Sequence, residues 1–299
     1  MKINRFNLAV SLAAVFIAAL PFIIFLIRAP VLVVTDLSFA QLYGGARIQK
    51  QAAGASFSLF RPVKIVAVAD DAGDDIAQIA ISETSSRPYC VIIPLRFAQA
   101  ARLYREKNPL VPVVILEGRF SEGSNPAEFA IGNNTDDYFL YKTDINADFY
   151  RAGMAAALLD GDKNGKIAVF LDAGIQTQAR EAFFRALNDL DKPMQSTFFT
   201  SYSQNYDISE LSCLVLAGVG AEHLEKEAGV PVVFFSWIDP SFLPNDVVLL
   251  YNDSPWVQIK EAVRMVSAKM TKNQIPSKGE VLPSKNIDKR ILRKLKKLR

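Results

Sequence analysis

Val31–Ala53 reads VLVVTDLSFAQLYGGARIQKQAA, and its reading decides the fold. Val31 to Thr35 is a short, near-continuous β-branched run, the composition of a strand covered on both faces. Gln41 to Ala53 reads as the helix that follows it. A strand, a short polar turn and a helix in that order form the first step of a βαβ unit, which builds a parallel sheet.

The same alternation continues downstream. Val63 to Ala69 is a second strand with Ile76 to Glu83 in its helix, Tyr89 to Ile93 a third with a helix over Ala98 to Glu106, and Pro112 to Leu116 a fourth. Phe120 to Asp137 then carries Gly123, Asn125, Pro126, Gly132 and the Asn133–Asn134 pair, the composition of a linker. Beyond it the pattern restarts, with strands at Phe139–Thr143, Lys166–Leu171, Thr197–Ser201, Leu214–Ala217 and Val232–Phe235. Their helices fall at Phe149–Leu159, Gln178–Leu190 and His223–Ala228, the first with small Gly153, Ala155, Ala156 and Ala157 that permit close packing. Val247 to Tyr251 belongs either at a sheet edge or at a return across a hinge, and Trp256 to Met270 is a long helix.

The expected fold class is therefore α/β: two Rossmann-like lobes with parallel sheets and a hinge, plus an N-terminal transmembrane helix. The divisions expected are a cytoplasmic stub and signal anchor at 1–29, a first lobe at 30–135, a second at 136–283 with a hinge crossover near 247–256, and a basic tail at 284–299. The 299 residues, 50% hydrophobic and 22% charged, suffice for two cores of ordinary size.

Upstream of the first strand, Leu8 to Ile27 is apolar apart from Ser11 and is preceded by Lys2 and Arg5. A bilayer core requires about 20 such residues, and flanking basic residues stay on the cytoplasmic side. Small residues for signal peptidase are badly placed, since Ala29 stands between Arg28 and Pro30, and no cysteine follows for lipid attachment. An uncleaved anchor in the cytoplasmic membrane, with a periplasmic body, is the expectation.

Charge supports an asymmetric molecule. Residues 285–299 hold eight Lys or Arg against Asp288, and Lys2, Arg5 and Arg28 flank the apolar run; without these, the 34 basic and 31 acidic residues become 23 and 30. A body of net charge about −7 is not a nucleic-acid surface. In the tail, Ile287, Ile291, Leu295 and Leu298 recur at helical spacing, so a short basic amphipathic helix is expected, lying on the membrane, docking an acidic partner, or left solvated.

The strand VLVVTD and the helix after it resemble the start of type I periplasmic binding proteins. The core Asp36-x-Ser38-Phe39-x-Gln41 is similar to the DxSFNQ signature of the basic membrane protein, or nucleoside-receptor, branch. FYRAGMAAALLDGDKNGKIAVFLDAGIQTQAREAFFRAL resembles that family's second-half helix, strand, loop and helix, and PVVFFSWIDPSFLPNDVVLLYNDSPWVQIKEAVRMV its closing strand, Asp, strand and helix. Ala40 replaces the family's Asn, and the Gly-rich stretch before the motif is missing. The resemblance implies a solute-binding protein that delivers a small ligand to a permease.

Open parallel sheets bind ligands beyond the carboxyl ends of their strands. The residues at those ends are Asp36, Ser38 and Phe39; Asp70 and Asp71; Pro94 and Arg96; Glu117 and Arg119 in the first half. In the second they are Asp144 and Asn146; Asp172, Gln176 and Arg180; Gly218; Trp237 and Asp239. The ligand set expected is Asp36, Ser38, Phe39, Asp70, Glu117, Arg119, Asp144, Asp172, Arg180, Trp237 and Asp239. Phe39 and Trp237 would stack on a ring and the carboxylates would accept from hydroxyls, which suits a nucleoside or sugar. Each carboxylate has an ordinary alternative as a helix N-cap.

Catalytic and metal chemistry find few residues. His223 is the single histidine, on the polar stretch Glu222–Glu227. Asp160, Asp162, Asn164 and Gly165 open like a calcium loop, but its twelfth position is Leu171 and a strand follows, so a helix-to-strand turn is expected. GVGAEH lacks the third glycine of a dinucleotide fingerprint, and P-loop, CxxC and GxSxG motifs do not occur. Cys90 and Cys213 lie in apolar strands and read as core residues. No cofactor and no metal are expected. An enzyme acting on a nucleoside or glycan would need two apposed carboxylates.

Overall fold

The computed structural model describes residues 5–36, 45–69, 71–118, 138–161, 165–171, 176–192, 197–200, 211–217, 229–236, 246–252, 254–283 and 287–298. Strands and helices alternate: α1 (Arg5–Ile27), β1 (Val31–Asp36), α2 (Gly45–Leu59), β2 (Val63–Val68), α3 (Asp74–Thr84), β3 (Cys90–Pro94), α4 (Ala98–Lys107) and β4 (Val113–Gly118). There follow β5 (Phe139–Thr143), α5 (Ile145–Asp160), β6 (Lys166–Leu171), α6 (Gln176–Asp189), β7 (Thr197–Thr200), β8 (Leu211–Ala217) and β9 (Val232–Ser236). The chain ends with β10 (Val247–Asn252), α7 (Pro255–Ala268), β11 (Lys272–Ile275), β12 (Lys278–Val281) and α8 (Lys289–Leu295).

The strands form two six-stranded sheets, ordered β11-β5-β4-β3-β1-β2 and β12-β10-β9-β8-β6-β7. By compactness the chain divides into residues 1–93 with 97–114, and residues 94–96 with 115–299. In the first unit, β1 pairs in parallel with β2 and β3, Val31 facing Val63 and Cys90. Flanked by strands on both sides, β1 and β3 are buried along nearly their whole length, whereas β2 at the sheet edge has Lys64 and Ala67 exposed. Central strands read as unbroken apolar runs and edge strands do not.

The second unit shows the two-faced burial most plainly. Ile167, Val169 and Leu171 of β6 join Cys213, Val215 and Ala217 of β8 in the core beneath α5 and α6. The intervening Ala168, Phe170, Leu214 and Leu216 fill a second cluster. Successive strand residues point to opposite faces, so one apolar run supplies two cores. Phe149 of α5 stacks on Phe235 of β9 at 5.0 Å, and Phe235 meets Tyr251 of β10 at 4.9 Å.

Two strands lie elsewhere than their sequence suggests. β5, read as the opening of the second half, sits in the sheet of β1–β4, where β11 pairs with it in parallel. β10, read as an edge or a return across a hinge, lies inside the other sheet between β9 and β12, with β12 as its antiparallel neighbour. An apolar run identifies a strand but carries no mark of the sheet it will join.

The tail forms the expected basic helix, but its apolar side is already occupied. Leu295 is fully buried in the core under α5, and Ile287, Ile291, Leu292 and Leu298 pack around it. Lys289, Arg290, Arg293, Lys294, Lys296 and Lys297 stay exposed. Of the three settings left open for this helix, a free solvated tail and burial of its apolar side in lipid both meet the same fact: that side packs on the protein's own core. For α1, side chains are described from Ala13 onward, and among the described residues no helix is long and apolar enough to cross a membrane.

α5 packs against α6 closely enough to demand a glycine. A Cβ on Gly153 would lie 2.7 Å from the Phe183 carbonyl oxygen and 2.8 Å from the Ala186 Cβ. Gly153→Ala is expected to cost about 1–3 kcal/mol through forced separation of the helices, read as a lower urea midpoint. Leu295→Ala should cost about 2–5 kcal/mol; an unchanged midpoint would show that α8 is not part of the folded core.

Candidate functional site

The carboxyl ends of the strands place the candidate ligand residues unevenly. Asp36 closes β1 and is partly exposed, next to Thr35, whose hydroxyl is buried with no hydrogen-bond partner among the described residues. Glu117 lies on β4, and Arg180 is exposed on α6. Asp144 follows β5 and caps α5, its carboxylate accepting from the Ala147 N–H at 3.0 Å. That is the ordinary N-cap role open to any such aspartate, satisfying one of the free N–H groups of the first helical turn. Ser38, Phe39, Asp70, Arg119, Asp172, Trp237 and Asp239 lie outside the described residues, as do Gly218 and His223.

The densest polar cluster among the described residues is one that sequence reasoning did not single out. Asp148, on the inner face of α5, is buried and accepts the Ser277 N–H at 2.8 Å, the Ser277 hydroxyl at 2.5 Å and Arg151 Nη2 at 2.5 Å. Arg151 Nη2 also donates to the Ser277 carbonyl at 2.6 Å, and the guanidinium lies 4.9 Å over the Tyr251 ring. Ser277 stands between β11 and β12, which belong to different sheets. The cluster thus fixes the segment joining those strands to the helix that follows β5. Beside it the Asp144 N–H donates to the Ile275 carbonyl at 3.1 Å.

Burial pushes the Asp148 carboxyl above the usual carboxylate range, while Ser277 and Arg151 pull against it. Burial raises the Tyr251 phenol too, and its hydroxyl has no hydrogen-bond partner among the described residues. Two charged residues three apart, in a helix otherwise apolar or small on that side, are the signal that could have marked Asp148 and Arg151. Ser277, 126 residues from Arg151, gave no sign of its role.

Two further motifs have structural explanations at their described residues, while Asp162, Asn164 and the GVGAEH stretch lie outside them. Asp160 accepts from the Gly165 N–H at 2.9 Å and from Lys192 Nζ at 3.3 Å, so its carboxylate closes the helix-to-strand turn. A Cβ on Gly165 would meet Ser212 at 2.5 Å, which explains the glycine there. Cys90 and Cys213 are buried free thiols, and burial pushes Cys90 up to about 12. Among the described residues no three His, Cys, Asp or Glu side chains gather as for a metal ion.

Solved structures share this architecture. A transcriptional activator of the comK gene from Bacillus halodurans superposes with TM-score 0.61 at 13% identity, over 90% of this chain and 95% of its own. An ABC-transporter solute-binding protein from Conexibacter woesei does so with TM-score 0.61 at 10% identity, over 91% and 95%. A solute-binding protein from Agrobacterium vitis bound with α-D-tagatopyranose gives 0.50 at 13% identity, over 85% and 95%. The fold is that of type I periplasmic binding proteins and LacI-like regulators. No family model matches the sequence, and no curated protein matches it.

Removing Asp148 tests the cluster. Asp148→Ala leaves the Arg151 guanidinium without its carboxylate and is expected to cost about 3–5 kcal/mol. Because the folded carboxyl holds its proton more tightly than the unfolded one, its contribution is fully present below the unfolded pKa and declines as pH rises through the folded value. Asp148→Asn should flatten that part of the pH–stability curve, measured by urea unfolding from acid to neutral pH.

Proposed function

We propose that the protein is a membrane-anchored extracytoplasmic solute-binding protein that captures a small polar ligand, a nucleoside or sugar, by closure of its two halves and without catalysing a reaction. The observation that carries this reading is the fold. Both sheets are mainly parallel; Asp36 ends β1 and Asp144 follows β5, and open parallel sheets bind ligands beyond the carboxyl ends of their strands, which supports the reading. The resemblance of Asp36-x-Ser38-Phe39-x-Gln41 to the nucleoside-receptor signature favours a ring that Phe39 can stack on. The tagatopyranose on the Agrobacterium vitis protein of the same fold is compatible with a sugar. Delivery to an ABC-type permease belongs to the same reading.

The anchor rests on Leu8–Ile27. α1 runs for 23 residues, about 34 Å at 1.5 Å per residue, and its described side chains are almost all apolar and exposed. Such a surface needs lipid or protein cover. Pro21 within the helix is tolerated in membrane spans. A second reading keeps the fold without transport, as a sensory or structural periplasmic protein. It is favoured by the Bacillus halodurans structure, a transcriptional activator of equal structural similarity.

Thermal unfolding of the full chain in detergent, screened against nucleosides, sugars and amino acids, separates the two. A ligand at 100 times its dissociation constant stabilises the folded state by about 2.7 kcal/mol, a shift of several degrees. A shift that Phe39→Ala abolishes identifies the ligand class; no shift from any compound favours the sensory or structural protein.

A further inference from the structure

In the first unit, the amino-terminal edge of the sheet carries large apolar side chains that remain exposed. Hydrogen bonds from Val31 N–H to the Pro62 carbonyl, Tyr89 N–H to Pro30 and Val91 N–H to Pro112, at 2.8, 2.8 and 3.0 Å, bring those three prolines to one edge. α1 leaves from the same edge. Arg28 at its end donates to the Phe60 carbonyl at 3.1 Å and lies 5.1 Å over the Phe60 ring, and Arg61 donates to the Ala29 carbonyl at 2.9 Å. Here Phe57 is 86% exposed, Phe60 38% and Leu110, two residues before Pro112, 94%.

Between α1 and α2 runs a groove of about 890 Å³, walled by Phe22, Phe25, Ala53, Phe57 and Phe60 with Lys64 at its side. Lys64 is the charged residue of its wall, and Arg28 at the end of α1 and Lys50 on α2 are exposed beside it. Residues 45–65 contain Arg47, Lys50, Arg61 and Lys64 and no acidic residue, although the body as a whole is acidic. Exposed aromatic rings next to Lys and Arg, at the point where an apolar helix ends, match the head-group layer of an anionic bilayer. An acidic protein partner would satisfy the cations but not Phe57 and Leu110.

We propose that this edge is seated in the head-group layer of the bilayer that α1 enters, with Phe57, Phe60 and Leu110 dipping toward the acyl chains and lipid filling the groove. The seat rests on the anchor reading above. It turns the opposite edge of the sheet, where Asp36 lies, away from the membrane. Ile76, exposed in the first turn of α3 beyond the carboxyl end of β2, marks that far edge.

The full chain carrying Phe57→Trp or Ile76→Trp, reconstituted in phosphatidylethanolamine–phosphatidylglycerol vesicles, provides the test. The signal is tryptophan fluorescence with and without lipids brominated near the glycerol end of their chains. Phe57→Trp is expected to lose a large part of its added emission and Ile76→Trp none. Equal quenching of both, or of neither while the chain resists alkaline extraction, overturns the seat and leaves the anchor standing. A chain released by alkali overturns both.

Discussion

A parallel sheet must be covered on both faces, and most other features of this protein follow from that requirement. Because consecutive residues of β6 and β8 enter different cores, neither face can be left to solvent. The helices between strands supply the cover, and their packing distance becomes critical. Gly153 is the sharpest instance: its missing side chain lets α5 lie on the backbone of α6. The tail obeys the same demand, since Leu295 fills the layer under α5.

Burial on both faces makes any ionic group inside expensive, so the cluster built around Asp148 carries information. A buried carboxylate with an arginine, a serine hydroxyl and a backbone N–H about it is satisfied only in one arrangement. That arrangement fixes Ser277, at the junction of β11 and β12. Specificity of geometry, rather than net stability, is the use such a cluster serves best, and the segment it fixes is where the chain passes from one sheet to the other.

Function in this fold depends on side chains at strand ends, and these are polar, short-range and poorly marked in sequence. Asp144 illustrates the ambiguity. Its position after β5 suits a ligand, yet its carboxylate caps α5. Both roles select the same residue type for the same reason, an acceptor beside free N–H groups. Asp160 repeats the lesson, with a calcium-like spacing that closes a turn on Gly165 and Lys192.

By itself the sequence determined the βα alternation, the positions of β1 to β10, the buried thiols and the amphipathic tail, but not the short polar strands β11 and β12. These depend on local periodicity and on the cost of exposing apolar runs. Only the tertiary structure decided which strands share a sheet, drawing β5 and β11 together and setting β10 inside its sheet. It alone joined Asp148 to Ser277 and turned the tail's apolar face inward. Each of these is a pairing between residues far apart in the chain, chosen by the fit of whole surfaces, and no local pattern encodes it.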